Sequence, residues 1–293
     1  MLALVTIPSQ VTWCYSLFSL VLAVGLVTIL LRGEWQRARG LDKLVLFGPL
    51  FYAAPVAAFG TEHFTVTAVA SLVPAWIPWH YFWVYFVGAC FIAGGFSLVT
   101  GIQARLSASL FGLTFFLFVV LMDIPAWAQN PGNRFAPTYV LRELSFSGGA
   151  LALASTLTGQ QGKRGAPILA AIARYFVAVS ILFYAFEQFL HAEHVPGIPL
   201  EAVTPAYIYG RVMWTYLAAV VYVVGGALLV VGKKTRAAAT WLGLTVLVVE
   251  LAVYVPMGVV ERASLDNGFN YMADTLMFCG AVLLLAGAMP RET

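Results

Sequence analysis

Long apolar runs separated by short polar stretches follow one another along the whole chain. The runs lie at residues 12–31, 43–61, 81–101, 107–127, 142–159, 168–190, 211–231, 237–257 and 271–289. A helix needs about 20 apolar residues to cross a lipid bilayer, and most of these runs reach that length. The pattern therefore predicts an all-α integral membrane protein with nine transmembrane helices.

Composition supports this class. Hydrophobic residues make up 61% of the chain and charged residues only 10%, whereas soluble domains carry about 25% charged residues. The net charge of +3 is too small and too scattered to indicate nucleic-acid binding. Three cysteines, Cys14, Cys90 and Cys279, lie inside apolar runs and form no CxxC pair. They therefore indicate neither a disulfide scaffold nor a dithiol redox centre, and no metal site is predicted.

The lysines and arginines predict the orientation of the helices. With the N-terminus outside, twelve of them fall on the inner side: Arg32, Arg37, Arg39, Lys43, Arg105, Lys163, Arg164, Arg174, Lys233, Lys234, Arg236 and Arg291. Four fall on the outer side: Arg134, Arg142, Arg211 and Arg262. Because cytoplasmic loops carry the excess of positive charge, we expect the N-terminus outside and the C-terminus inside. The expected location is the cytoplasmic membrane of a bacterium.

The first apolar run is expected to be a retained helix. The preceding segment "MLALVTIPSQ" contains no Lys or Arg, while the basic stretch "RGEWQRARGLDK" follows the run. A secretory signal peptide has its positive charge on the other side. Four tryptophans are predicted to form an aromatic belt at outer helix ends: Trp76, Trp79, Trp83 and Trp127.

The sequence repeats itself after 131 residues. "VPAWIPWHYFWVYFVGACFIAGGFSLVTGIQAR" then aligns with "TPAYIYGRVMWTYLAAVVYVVGGALLVVGKKTR", and this register holds from about residue 74 to 158. Before it, a six-residue insertion in the second copy changes the shift to 125. We predict two four-helix repeats, 43–159 and 168–289, preceded by a unit at 1–42 with one helix and a linker. An even number of helices per repeat makes the two repeats parallel in the membrane.

Both repeats resemble the DoxX and DoxX-like membrane proteins, and the first does so most closely, over residues 46–105. The resemblance is carried by an acid at the outer end of its first helix, the "VPAWIP" loop, the aromatic "FWVYFVG" and the exit "GGFSLVTG". It implies a four-helix membrane bundle, and some members are subunits of quinone-linked oxidoreductases such as thiosulfate:quinone oxidoreductase. Similar bundles include EXPERA proteins of the sigma-2 receptor type, whose acids help to hold apolar amine or sterol-like ligands. Vitamin K epoxide reductase is another, but this chain lacks its CxxC. The two fused repeats and the extra first helix depart from single-repeat members.

The predicted topology places several acids and histidines at the outer ends of helices. They are Glu62, His63, His80, Glu143, Glu187, His191, His194 and Asp274. The acids recur in both repeats, since Glu62 aligns with Glu187 and Glu143 with Asp274. We treat them as candidate ligand-binding residues.

Four other interpretations stay open for these residues. They can be half-hydrated interface residues, or acids stabilised by a helix N-terminus by about 0.3–1 kcal/mol. Arg142 can also pair with one of the acids across a helix. Glu187, His191 and His194, spaced i, i+4 and i+7, would share one helix face and could begin a metal site, which the first repeat does not reproduce.

Two further candidates, Asp123 and Glu250, lie deeper in apolar runs. A charge near the bilayer centre costs at least about 2.5–3.5 kcal/mol, so such residues usually face a cavity. Neither acid is repeated: Asp123 aligns with Tyr254, and Glu250 aligns with Val119. The alternative for Glu250 is a structural hydrogen bond to a Ser, Thr or Tyr on a neighbouring helix.

Two functions follow from these residues. The first is a ligand-binding or accessory membrane protein, whose outward-opening pocket, lined by Trp and Tyr and tuned by Glu250 and Asp123, takes a quinone or another small apolar ligand. The second is the membrane subunit of a quinone-linked oxidoreductase that works with a partner subunit. The chain contains no CxxC, nucleotide motif or paired intramembrane histidines, so no cofactor is evident from the sequence and quinone is the one that stays possible. Parallel repeats make a transporter the less favoured function.

Overall fold

The computed structural model describes residues 7–160 and 165–291, and these are built around nine long helices. The helices are α1 (Ser9–Leu31), α2 (Gly48–Thr65), α3 (His80–Thr100), α4 (Ala104–Gln129), α5 (Ala136–Gln160), α6 (Ala166–Leu190), α7 (Arg211–Val231), α8 (Thr235–Val260) and α9 (Leu265–Ala288). Eight helices are long and apolar enough to cross a membrane, and no β-sheet occurs in these residues. The predicted class, an all-α membrane protein, is confirmed. Lys163 and Arg164 lie outside the described residues.

The helix α5 is the one that is not among these eight. It has 25 residues, but it is richer in Gly, Ser and Thr than its neighbours. None of its side chains from Ala136 to Thr158 is exposed, because α4, α6 and α9 pack around it. A helix that contacts protein on all sides has no lipid to face, so it does not need an apolar surface. The helix also begins earlier than the predicted run 142–159.

Helix contacts follow the same order in both halves of the chain. The helices α2 to α5 pack in sequence, each against the next, and so do α6 to α9. The first helix of each half packs against the last helix of the other half, which joins α2 to α9 and α6 to α5. The helix α1 packs against α2 and α3. Both halves share one hydrophobic core, so the predicted unit boundaries 1–42, 43–159 and 168–289 stay predictions.

The helices α5 and α9 lie side by side at the centre and run in the same direction. Arg142 contacts Asp274, and Gly149 packs against Ala281. Both contacts join residues 132 positions apart, as parallel helices require. A Cβ atom on Gly149 would lie 2.5 Å from the Ala281 Cα atom, so glycine is needed for this approach.

Two π-helical segments interrupt α4 and α8 at matching places, Val119–Asp123 and Glu250–Tyr254. Pro125 and Pro256 follow them at the same distance. Proline has no N–H to bond the carbonyl four residues earlier, and the backbone N–H that follows each segment bonds five residues back. Asp123 ends the first segment and Glu250 begins the second.

The bundle has two chemically different ends. At one end, called the acidic end, α2 and α6 end and α5 and α9 begin. At the opposite end, called the basic end, arginines donate hydrogen bonds to carbonyl groups at helix C-termini. Arg32 donates to the Thr100 carbonyl at 2.5 Å, and Arg236 donates to the Ala286 carbonyl at 2.9 Å. These bonds satisfy carbonyls that a helix terminus leaves free.

Candidate functional site

A shielded guanidinium lies between α5 and α9 at the acidic end. Arg142 donates from Nη1 to Asp274 Oδ2 at 2.8 Å and from Nη2 to Glu143 Oε1 at 3.0 Å. The side chains of Arg142, Glu143 and Asp274 are 22%, 13% and 8% exposed, so solvent or a ligand can still reach them. The guanidinium carbon also lies 5.3 Å from the centre of the Tyr139 ring. The prediction that Arg142 pairs with an acid across a helix is confirmed for Asp274.

Two more carboxyl groups interact electrostatically with the same guanidinium. Asp123 interacts with Arg142 and Glu143, and its segment of α4 packs against α5. Glu62 interacts with Asp274 and Arg142, and its helix α2 packs against α9. We call these five residues the Arg142 cluster; four helices contribute to it.

The Arg142 cluster contains more hydrogen-bonding capacity than its members use. Within the described residues, Glu62 Oε1, Asp123 Oδ2, Glu143 Oε2 and Arg142 Nε are buried without a hydrogen-bond partner. Buried polar atoms without partners are costly, and four carboxyl groups outnumber the single guanidinium. The cluster therefore has free acceptors and a free donor for water, protons or the polar group of a ligand.

The helix-dipole interpretation is wrong for Glu143. The helix α5 begins at Ala136, so Glu143 lies two turns inside it. The stabilisation of an acid by the dipole falls off within the first turn. Its contact with Arg142 is the interaction that the structure provides instead.

The proposed helical face for Glu187, His191 and His194 is also wrong. The helix α6 ends before His191, and both histidines lie in the following connection, near Glu193 at 3.8 Å and 3.4 Å. Glu187 is buried and lies 3.6 Å from Arg134. Among the residues that the structure describes, no three His, Cys, Asp or Glu side chains form a group that could hold a metal.

The remaining two histidines have different surroundings. Nδ1 of His63 lies 2.8 Å from the Phe59 carbonyl, and its ring packs against Phe91 with centroids 5.5 Å apart. His80 is the first residue of α3 and is half-buried. His63 is thus engaged by backbone and aromatic packing at the acidic end.

Glu250 lies deep in the other half of the protein. It is 3% exposed, and its Oε2 atom has no hydrogen-bond partner among the described residues. Glu250 interacts electrostatically with Tyr254, one helical turn further along the chain, and with Cys279, whereas Asp123 belongs to the Arg142 cluster. The alternative of a hydrogen bond from Glu250 to a neighbouring Ser, Thr or Tyr is not formed in the described part of the chain.

The four tryptophans that were predicted to form an aromatic belt lie on the surface. Trp76 and Trp79 are 68% and 78% exposed, and Trp83 and Trp127 are exposed as well. This placement suits an aromatic belt at an interface. The aromatic neighbour of Glu250 is the tyrosine Tyr254, which is fully buried.

A buried loop is the feature that the sequence reasoning missed. The connection between α6 and α7 enters the bundle, and every residue of the segment 195–200, "VPGIPL", is buried. The signal was present as the six-residue insertion in the second repeat. A stretch with two prolines and a glycine is typical of a surface loop, so its burial was not expected.

Two open cavities lie away from these groups. A groove of about 600 Å³ runs between α1 and the end of α8, lined by residues that include Tyr15, Val259 and Arg262. A cavity of about 340 Å³ lies at the basic end beside Asp42 and Arg236. None of the predicted site residues lines either cavity.

Comparison with family models, with curated proteins and with solved structures finds no match to this chain.

Proposed function

We propose that this multi-pass membrane protein is DoxX-like and binds a small apolar, quinone-like molecule beside Arg142 at the acidic end of the bundle. The observation that carries the proposal is the Arg142 cluster, in which three carboxyl oxygens and one guanidinium nitrogen are buried without partners. Burying such groups in a membrane protein costs free energy unless a partner forms hydrogen bonds with them.

A quinone and its quinol both fit this set of atoms. A quinone carbonyl accepts hydrogen bonds, and Arg142 Nε is a free donor. A quinol hydroxyl donates hydrogen bonds, and Glu143 Oε2 and Asp123 Oδ2 are free acceptors. The ring of Tyr139 beside the guanidinium offers an apolar surface for the ligand.

Orientation and location are part of the same proposal. We place the acidic end outside and the basic end in the cytoplasm of a bacterium, because the sequence has most of its lysines and arginines on the side of the basic end. The ligand would then reach the Arg142 cluster from the outer leaflet.

The alternative function is a membrane subunit of a quinone-linked oxidoreductase, in which the same site would serve a partner enzyme. Redox chemistry would then come from the partner and the quinone. The two functions separate experimentally: a purified chain that binds quinone supports the first, and a requirement for a co-purifying subunit supports the second.

The test measures binding of decylubiquinone to the full chain in detergent by calorimetry. Arg142→Lys and Glu143→Gln should each weaken binding about tenfold or more, because each removes a hydrogen bond that involves a charged group. The matched control is Arg236→Lys, which alters an arginine that also contacts an acid, Asp42, at the basic end.

Equal binding by the parent protein and all three variants would contradict the proposed site. Absence of binding to the parent protein, together with no quinone in mass spectra of copurifying lipids, would contradict the proposed ligand.

A further inference from the structure

The connection between the first and second helices differs between the two halves of the chain. In the first half, the connection 66–79 between α2 and α3 has no buried side chain among those described. In the second half, the equivalent connection between α6 and α7 is longer and places residues 195–200 in the interior. Loops usually stay on the surface because their backbone groups need partners.

The buried segment obtains those partners from the helices around it. Gln188 Nε2 donates to the Gly197 carbonyl at 3.1 Å, and the Tyr254 hydroxyl donates to the Pro196 carbonyl at 2.5 Å. At its base, Val195 N donates to the Ala202 carbonyl at 3.0 Å. Gly197 has φ = +90°, which other residues rarely adopt. A few hydrogen bonds therefore hold the segment.

Three buried polar groups, one each on α7, α8 and α9, lack hydrogen-bond partners in the described part of this half of the bundle. A Cβ atom on Gly197 would lie 3.5 Å from Thr275 Cγ2 and 3.8 Å from Val249 Cγ1. Glu250 follows Val249 in the chain. Glu250 Oε2, Tyr222 Oη and Thr275 Oγ1 are all buried without hydrogen-bond partners in the described residues, and the three side chains are at most 3% exposed.

The first half fills the equivalent space with aromatic rings. Phe91 lies 5.8 Å from Phe111 and 5.5 Å from Phe115, and Phe115 lies 6.0 Å from Phe118 and 5.7 Å from Phe146 between ring centres. In the 131-residue register their counterparts are Tyr222, Leu242, Val246, Val249 and Met277. Four of the five rings are replaced by smaller side chains, while Tyr222 keeps its ring and adds a hydroxyl. Gly197 of the segment 195–200 lies next to one of the smaller residues, Val249.

We infer that helices α6 to α9 enclose a binding chamber for a small apolar alcohol or phenol, and that segment 195–200 fills this chamber until such a ligand displaces it. The ligand hydroxyl would donate to Glu250 and accept from Tyr222, which gives both groups the partners they lack. In the first half, side chains alone fill the equivalent space. We would expect the same in the second half if this space had only a structural role.

The segment can leave without breaking a helix. Glu193, Glu201 and Val203 beside it are exposed, while Ala192 and Thr204 are buried. The helix α6 ends before the segment and α7 begins after it. The site shares no residue with the Arg142 cluster, so it goes beyond the proposed function.

The test uses photolabelling of the full chain in detergent with 4-hydroxybenzophenone, a photoreactive phenol, and locates the label by peptide mass spectrometry. The double variant Gln188→Leu with Tyr254→Phe removes two hydrogen bonds that hold the segment. It should raise labelling of residues 246–257 and 273–286 about tenfold or more. Deletion of residues 195–200 should raise it at least as much.

Three controls make the outcome specific. Benzophenone, which lacks the hydroxyl, should label the chamber about tenfold less, and Glu250→Leu should reduce labelling by the phenol. Arg142→Lys should label like the parent protein, which separates this test from that of the proposed function. Equal labelling of the parent and the double variant, equal labelling by both probes, or label confined to exposed side chains would overturn the inference. If the deletion variant does not fold, the labelling of the double variant and of Glu250→Leu still tests the inference.

Discussion

Buried acids in this protein fall into two kinds, and the difference is set by their neighbours. Asp274 and Glu143 each contact Arg142 at hydrogen-bonding distance. Glu250 also lies in an apolar stretch of the sequence, but its Oε2 atom has no hydrogen-bond partner among the described residues. Removing the partner of a paired acid would leave a buried charge uncompensated. A buried carboxyl oxygen without a partner, such as Glu143 Oε2 or Glu250 Oε2, is available for a ligand.

Replacing Arg142 should therefore destabilise the fold. In Arg142→Leu several carboxyl groups would lose their cation, and removal of one partner from a buried pair costs about 3–5 kcal/mol. The free energy of unfolding, measured in detergent by titration with SDS, should fall by that amount. The matched control is Arg291→Leu, whose side chain is 75% exposed although it also pairs with an acid; it should change stability by less than about 1 kcal/mol. Similar losses in both variants would contradict the structural role of Arg142.

At the level of the element, the central helices differ from those at the rim. Every residue of α9 from Ala273 to Ala286 is buried, and α5 exposes none of its described side chains. The outer helices α3 and α7 present large apolar residues such as Phe82 and Val220 to the surroundings. Small residues let the two central helices approach closely, which is how helices pack where the hydrophobic effect is weak.

Gly149→Ala tests this close contact. The added methyl group would meet Ala281 of α9 at 2.5 Å, and overpacking of this kind costs about 1–3 kcal/mol. We expect the midpoint of thermal unfolding in detergent to fall. Gly165→Ala is the matched control, because nothing lies within 4 Å of its added methyl group. A midpoint unchanged in Gly149→Ala would mean that the two helices are less tightly packed than described.

At the level of the whole molecule, the two ends differ in charge chemistry. Carboxyl groups gather around Arg142 at the acidic end, while arginines such as Arg236 bond helix C-termini at the basic end. Because α9 runs between these ends, with Asp274 near its start and Ala286 near its finish, the charge difference runs along the length of the bundle.

A topology experiment tests how the bundle lies in the membrane. A reporter fused after Arg291 should read cytoplasmic, and a tag before Met1 should read outside, because twelve of sixteen lysines and arginines are predicted on the inner side. Accessibility to a membrane-impermeant label in intact cells checks both positions. If both termini were on the same side, the count of spanning helices would be wrong.

Much of the architecture could be predicted from the sequence alone. Hydropathy and length locate helices because each follows from consecutive residues, and the run 211–231 matches α7 residue for residue. The 131-residue register also anticipates the paired prolines, and the π-helical segments before Pro125 and Pro256 then follow from the missing proline N–H.

Only the tertiary structure decided which distant residues meet. Arg142 and Asp274 are 132 residues apart, and their contact depends on α5 and α9 packing in parallel at the centre. The burial of segment 195–200 likewise depends on small side chains of other helices, such as Val249 and Thr275, leaving room for it. Local sequence sets the conformation of each segment, but the partners of a polar group are set by how the helices pack, and that information is spread over the whole chain.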